Sequence, residues 1–103
     1  MEQWREKLVM LPEHMQGAME RWIEHGLLPG GFLTAVLTNN LFDAFGQADS
    51  INRNAIPDYV TYLYNYAPSG CWGSLEKAHA WFDCQGLQNV QRAKFNPETG
   101  DFE

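Results

Sequence analysis

The chain has 103 residues and a net charge of −6, and aromatic residues make up 14 % of it. That length is one domain around one core. The basic residues Arg5, Lys7, Arg21, Arg53, Lys77, Arg92 and Lys94 are scattered, so no basic stripe for duplex nucleic acid exists, and no apolar run approaches the roughly 20 residues that span a bilayer.

Residues 2–11 are predicted to form a short first helix with Trp4, Leu8 and Leu11 on one side. Pro12 suits a first helical turn and not an interior. A second helix therefore runs from there to His25, with Met15, Met19, Trp22 and Ile23 as its apolar face and Gly26 as its stop. Leu27-Leu28-Pro29 is a short connector. Pro29-Gly30-Gly31 then turns into a central helix over Phe32–Phe45, in which Leu33, Val36, Leu37, Leu41 and Ala44 share one face. Gly46 stands at its C-terminal end. Asn39-Asn40 is its weak point, read as a kink or a cap in preference to a polar pair facing a partner.

Asp49 or Ser50 caps the following helix, which extends to Tyr66, with Pro57 ending a first portion or kinking it. Ile56, Val60, Leu63 and Ala67 form one stripe on it; Tyr59, Tyr62 and Tyr66 form an adjacent one that suits a core edge or a subunit interface equally. After a compact loop, Ser74 caps a last helix, Leu75 to Cys84. Leu75, Ala78 and Phe82 are expected to face inward with Trp81 beside them, and Gly86 closes the helix. Val90–Phe95, a turn through Pro97 and Gly100, and Asp101–Glu103 read as a β-hairpin or a frayed end. The expected fold is mainly α: a single domain over 1–103, a small orthogonal or antiparallel bundle of four to five helices. Residues 1–16 are an N-terminal extension and 87–103 a hairpin or tail.

The runs Trp22-Ile23-Glu24-His25-Gly26, Pro29-Gly30-Gly31-Phe32-Leu33-Thr34-Ala35-Val36-Leu37 and Asn39-Asn40-Leu41, followed by Leu63-Tyr64-Asn65-Tyr66-Ala67-Pro68-Ser69-Gly70-Cys71-Trp72-Gly73-Ser74 and Ala80-Trp81, resemble a family of short, mostly uncharacterised phage and prophage proteins. The resemblance covers residues 18 to 85 and implies a viral accessory gene, with no reaction attached. Accessory proteins of this kind are often counter-defence factors, some of them oligomers that sequester cyclic or ADP-ribose-type nucleotide signals; that step is an analogy of context.

The chemistry-bearing residues are few. Cys71 and Cys84 are the only cysteines. With a mixed-charge start and no signal-peptide pattern, they are expected to be reduced and partly buried, in a cytoplasmic protein of an infected host. No metal or other cofactor is expected: His79 and Cys84 fall on different helix faces, and no close-spaced ligand pair exists. Cys71, His79 and Asp83 can be drawn as nucleophile, base and orienting acid. In so short a chain such triples arise by chance, and an enzyme is not the expected class.

An anion site has somewhat more support. Gly30-Gly31 and Gly73 each precede a helix start, where free N–H groups can hold phosphate. Arg53 can clamp a phosphate, and Trp72 can stack on a base. With Tyr66, Ser69 and Ser74 from the same loop, the candidate ligand-binding set is Gly30, Gly31, Arg53, Tyr66, Ser69, Trp72, Gly73 and Ser74. Each has a plainer reading: a glycine turn with an ordinary cap, an Arg53 paired along its own helix, a Trp72 that plugs the core. The leading expectation is a non-enzymatic homo-oligomer that sequesters a small nucleotide signal. The alternatives are a protein-binding inhibitor of a host defence complex and a structural or regulatory phage protein.

Overall fold

Short-range capping decides where most of the helices begin and end. The structure, a computed structural model, describes residues 3–87 and the backbone of Phe95–Asn96 and Asp101–Phe102. Within them α1 (Gln3–Glu6) runs into a 3-10 turn (Lys7–Met10). There follow α2 (Glu13–His25), α3 (Gly31–Leu37), α4 (Leu41–Gln47), α5 (Ser50–Asn65), a second 3-10 turn (Ser69–Cys71) and α6 (Leu75–Asp83). The fold is mainly helical, as expected. The predicted hairpin falls on 90–103, of which residues 90–94, 97–100 and 103 lie outside the described residues; Phe95 stands opposite Phe102 and Asn96 opposite Asp101 in an antiparallel pair.

The expected caps are in place. Gly26 ends α2 in the left-handed conformation, φ 68°, which costs glycine little. The Asp49 carboxylate accepts from the Asn52 N–H at 2.7 Å at the start of α5, and Ser74 Oγ accepts from the Lys77 N–H at 3.1 Å at the start of α6. Pro12 stands immediately before α2.

Four expectations need correction. The first helix is only one turn long before it tightens into the 3-10 turn. The central helix is two helices: Asn39 takes a positive φ of 63°, and the Asn40 side chain caps α4 by accepting from the Asp43 N–H. The cap reading of this pair therefore holds, while the continuous helix over Phe32–Phe45 does not. Gly46 does not end a helix; it lies inside α4, one residue before its end. Pro57 neither ends nor divides α5, which is continuous from Ser50 to Asn65.

Three of the core rings find distant backbone with their polar atoms. Trp22 Nε1 donates to the Cys71 carbonyl and Trp81 Nε1 to the Trp22 carbonyl, both at 2.9 Å. The Tyr62 hydroxyl donates to the Trp4 carbonyl at 2.6 Å, and that of Tyr59 to Asn52 Oδ1 at 2.8 Å. These bonds tie α6 to α2, α2 to the 67–74 loop, and α5 to α1. A buried indole or phenol needs such a partner, so each bond fixes packing as well as satisfying an atom. Met19, Ile23, Leu33 and Leu37 fill the space between the rings. Where α2 and α6 end, two glycines meet: a Cβ on Gly86 would stand 2.5 Å from the Gly26 nitrogen and 2.6 Å from the Glu24 carbonyl oxygen.

Burial corrects the expected faces. On α5 it is Tyr59, Tyr62 and Leu63 that are sealed, while Val60 is exposed. The tyrosine stripe is thus the core side at those two positions, and the contact with another subunit that it allowed is not available to them. On α6, Ala78 and Trp81 face inward, and Leu75 and Phe82 are exposed. Leu41, assigned to the core, is exposed as well.

Candidate functional site

The eight candidate ligand residues do not gather in one place. The Gly73 N–H donates to the Leu37 carbonyl at 2.8 Å, which sets the Gly73–Ser74 turn at the C-terminal end of α3. Gly30 and Gly31 lie at its other end, about 10 Å away along a seven-residue helix. The start of α3 is also partly covered: a Cβ on Gly31 would collide with the side-chain amide of Gln47 from the end of α4. Gly30 has open space around it. Arg53 is exposed on α5, and among the described residues it has no ion pair. Tyr66 is half-buried, its ring tilted against Tyr62, with Lys7 Nζ 5.4 Å from its centroid. Ser69 is exposed in the second 3-10 turn. Trp72 packs against the core from the loop, with its Nε1 buried and without an acceptor among the described residues. Ser74 spends its hydroxyl oxygen on the α6 cap.

The Cys71–His79–Asp83 triple does not assemble. Cys71 is fully buried, and burial pushes its thiol up. His79 and Asp83 pair at 3.1 Å on the outer side of α6, where both are exposed. A buried thiol with a raised pKa carries little thiolate and is a poor nucleophile. Cys84 is likewise buried, with its thiol pushed up by burial. The hydroxyls of Tyr59 and Tyr62 are pushed up for the same reason, which suits them as hydrogen-bond donors and not as acids. Among the described residues no group of three or more His, Cys, Asp or Glu side chains is arranged to hold a metal ion, and no helix is long and apolar enough to cross a membrane.

What the fold does assemble is apolar surface. Among the described residues two faces carry most of it, with Val9, Leu27 and Ile51 exposed besides. The first is a ridge on α4 and α5. Phe42 is 89 % exposed, Tyr64 77 %, Leu41 and Val60 each 59 %, and Phe45 45 %. Leu41 and Val60 meet across a small groove floored by Ala35, Ala44 and Ile56. Phe45 follows Leu41 by four residues and Tyr64 follows Val60 by four, so each pair stacks along its helix. Alpha4 is pinned by Ala44 alone among its residues, and a helix that buries one methyl turns the rest of its circumference outward.

The second face is a groove of about 210 Å³ between α3 and α6, bounded by Leu28, Thr34, Thr38, Leu75, Ala78 and Phe82. Both threonine hydroxyls are used locally, Thr34 on the Pro29 carbonyl and Thr38 on that of Thr34. Beside it, a wider depression on α6 is lined by Glu76 and Asp83 together with Leu75, His79 and Ala80; its carboxylates oppose an anionic ligand. None of the eight candidate residues lines any of these depressions.

Sequence reasoning missed Phe42, Phe45, Val60 and Tyr64 as surface. The available signal was the Asn39-Asn40 break: read as a full stop, it isolates a two-turn helix whose phenylalanines flank a lone alanine. Comparison with protein-family models, with curated proteins and with solved structures finds no match to this chain.

Proposed function

We propose that this chain is a non-enzymatic binding protein that works by docking onto protein surfaces. The observation that carries the proposal is the clustering of most of its exposed large apolar side chains on two faces, the α4–α5 ridge and the α3–α6 groove. Scattered exposed leucines mean little, whereas contiguous apolar patches mark contact sites. The separation of Cys71 from His79 and Asp83 supports the non-enzymatic part. The resemblance of residues 18 to 85 to short phage and prophage proteins supplies a setting: a viral accessory protein whose target belongs to a host defence complex.

Sequestration of a cyclic or ADP-ribose-type nucleotide is less well supported. It needs the glycine-led helix starts to converge with Arg53, and in one copy of the chain the two starts lie at opposite ends of α3.

A capture experiment tests the proposal. The full-length protein and its Phe42→Asp and Phe82→Asp forms serve as bait in a bacterial lysate. The docking reading expects a protein that wild type retains and at least one variant releases. Indifference to both substitutions overturns it. An intact nucleotide released from the native protein in mass spectrometry would favour sequestration instead.

A further inference from the structure

We infer that the occupant of the α4–α5 ridge is a second copy of this chain, packed across a two-fold axis with Phe42 of each copy over Gly46 of the other. The inference rests on the docking reading for the ridge being a contact surface, and it names the partner.

Three observations carry it. The first is a knob and a hole on one stripe. Phe42 is 89 % exposed. Gly46 follows it by four residues on the same helix, with nothing within 4 Å of where its Cβ would be. Gly46 has no positive φ, so its backbone does not require glycine. Within one copy this bare spot has no packing role. Two α4 helices related by a two-fold axis perpendicular to them run antiparallel, and each then offers its phenylalanine to the other's glycine; a surface that carries both halves of a complementary pair is what an isologous contact needs.

The second is area. At roughly 200 Å² for an aromatic side chain, Leu41, Phe42, Phe45, Val60 and Tyr64 together expose about 600 Å². A standard interface takes about 800 Å² from each partner, and the polar rim of α5 at Arg53, Pro57 and Thr61 can contribute the difference.

The third is charge. The chain carries −6, so most ways of bringing two copies together oppose carboxylates. The ridge carries few acids. By helical position Asp58 projects away from the Val60–Tyr64 edge of α5, and Asp43 lies about 160° round α4 from Leu41 and Phe45 and about 60° from Gly46. Arg53 lies on the same edge of α5 as Val60 and Tyr64. Among the described residues Asp43 is thus the one ridge acid at the margin of the contact, where it is exposed to solvent. The α3–α6 groove, flanked by Glu76 and Asp83, stays outward on both copies.

Sedimentation velocity over a dilution series of the purified full-length chain tests the pairing. Wild type is expected to sediment as a dimer that dissociates on dilution. Phe42→Asp removes the knob and Gly46→Leu fills the hole; each is expected to raise the dissociation constant at least about tenfold, with the helical circular dichroism unchanged because both positions are exposed. Phe82→Asp, on the other face, is expected to leave the dimer intact. A wild type that is monomeric throughout overturns the inference, as does association that survives either ridge substitution or is lost with Phe82→Asp. The two readings fail separately. A monomeric wild type that captures a protein in a Phe42-dependent way overturns the self-pairing alone. A monomeric wild type whose capture depends on neither Phe42 nor Phe82 overturns the docking reading too.

Discussion

The ring-bearing residues divide between two regions. In the core between α1, α2, α5 and α6, Trp22, Trp81, Tyr59 and Tyr62 are sealed and hydrogen-bonded. On the α4–α5 ridge and the outer side of α6, Phe42, Phe45 and Phe82 are exposed. The sorting runs against simple hydrophobicity, since phenylalanine has no polar atom to satisfy and loses most by facing water. Four core rings carry a donor that reaches a carbonyl or an amide oxygen; Phe32 is sealed beside Tyr59, and the indole nitrogens of Trp4 and Trp72 are buried without an acceptor among the described residues. Of the phenylalanines outside, Phe42 is the one left almost wholly in solvent, while Phe45 and Phe82 are about half covered. On the proposed docking reading, that contrast marks the contact surface.

The largest effects should fall on the core side. Trp81→Ala removes a fully buried indole and its hydrogen bond to the Trp22 carbonyl, which keeps only the Gly26 N–H. A loss of about 3–5 kcal/mol is expected, read from the urea midpoint of the circular dichroism transition. A loss below about 1 kcal/mol would mean that α6 is not packed on α2 as described. Gly86→Ala is next. The residue has φ 82° and its Cβ would meet the Gly26 nitrogen and the Glu24 carbonyl, so more than about 2 kcal/mol should be lost in the same measurement.

On the ridge side the sign reverses. Gly46→Ala puts a methyl into open space on a helix, and should stabilise the monomer by about 0.5–1 kcal/mol in thermal or urea unfolding at dilute protein. Stabilisation of the fold together with weakened association would separate what α4 needs for itself from what it offers outward.

The smallest effect is electrostatic. The N–H of Asn52, with His14 at 3.3 Å, holds the Asp49 carboxyl below its ordinary value. Its contribution to stability is therefore full above the unfolded-state value and drains as pH falls through the lower folded-state one. Asp49→Asn keeps a side-chain acceptor at the cap. It should leave stability near neutrality almost unchanged and flatten the acid loss below about pH 4, measured as urea midpoint against pH.

What could be read from the sequence was what short-range contacts determine. Gly26, Asp49 and Ser74 end or start their helices through atoms within a few residues, and all three were legible. The Asn39-Asn40 interruption was legible as a weak point; that it parts two helices depends on the positive φ of Asn39, which residue type allows without demanding. The orientation of α5 was not legible. Its apolar arc is wide enough to hold both the Val60 and the Tyr59–Tyr62 edges, and the choice between them rests on the Trp4 carbonyl, 58 residues from Tyr62. Leu75 and Phe82 were assigned inward by the same periodicity, yet the buried face of α6 is set by Trp81 reaching Trp22. The candidate ligand set was assembled from glycines and nearby rings along the chain. The fold places its two glycine-led starts at opposite ends of α3, a long-range relation that spacing does not carry. The ridge is hidden when Phe32–Phe45 is read as one helix, because that puts Leu41 on the same inward face as Ala44.

The account turns on the α4–α5 ridge meeting a second copy of the chain, and the aromatic carbon–proton NMR spectrum followed through a dilution series tests this most directly. Signals of Phe42, Phe45 and Tyr64 should move with protein concentration while the indoles of Trp22 and Trp81 stay fixed. Ridge signals that do not move, or movement centred on Phe82, would contradict it.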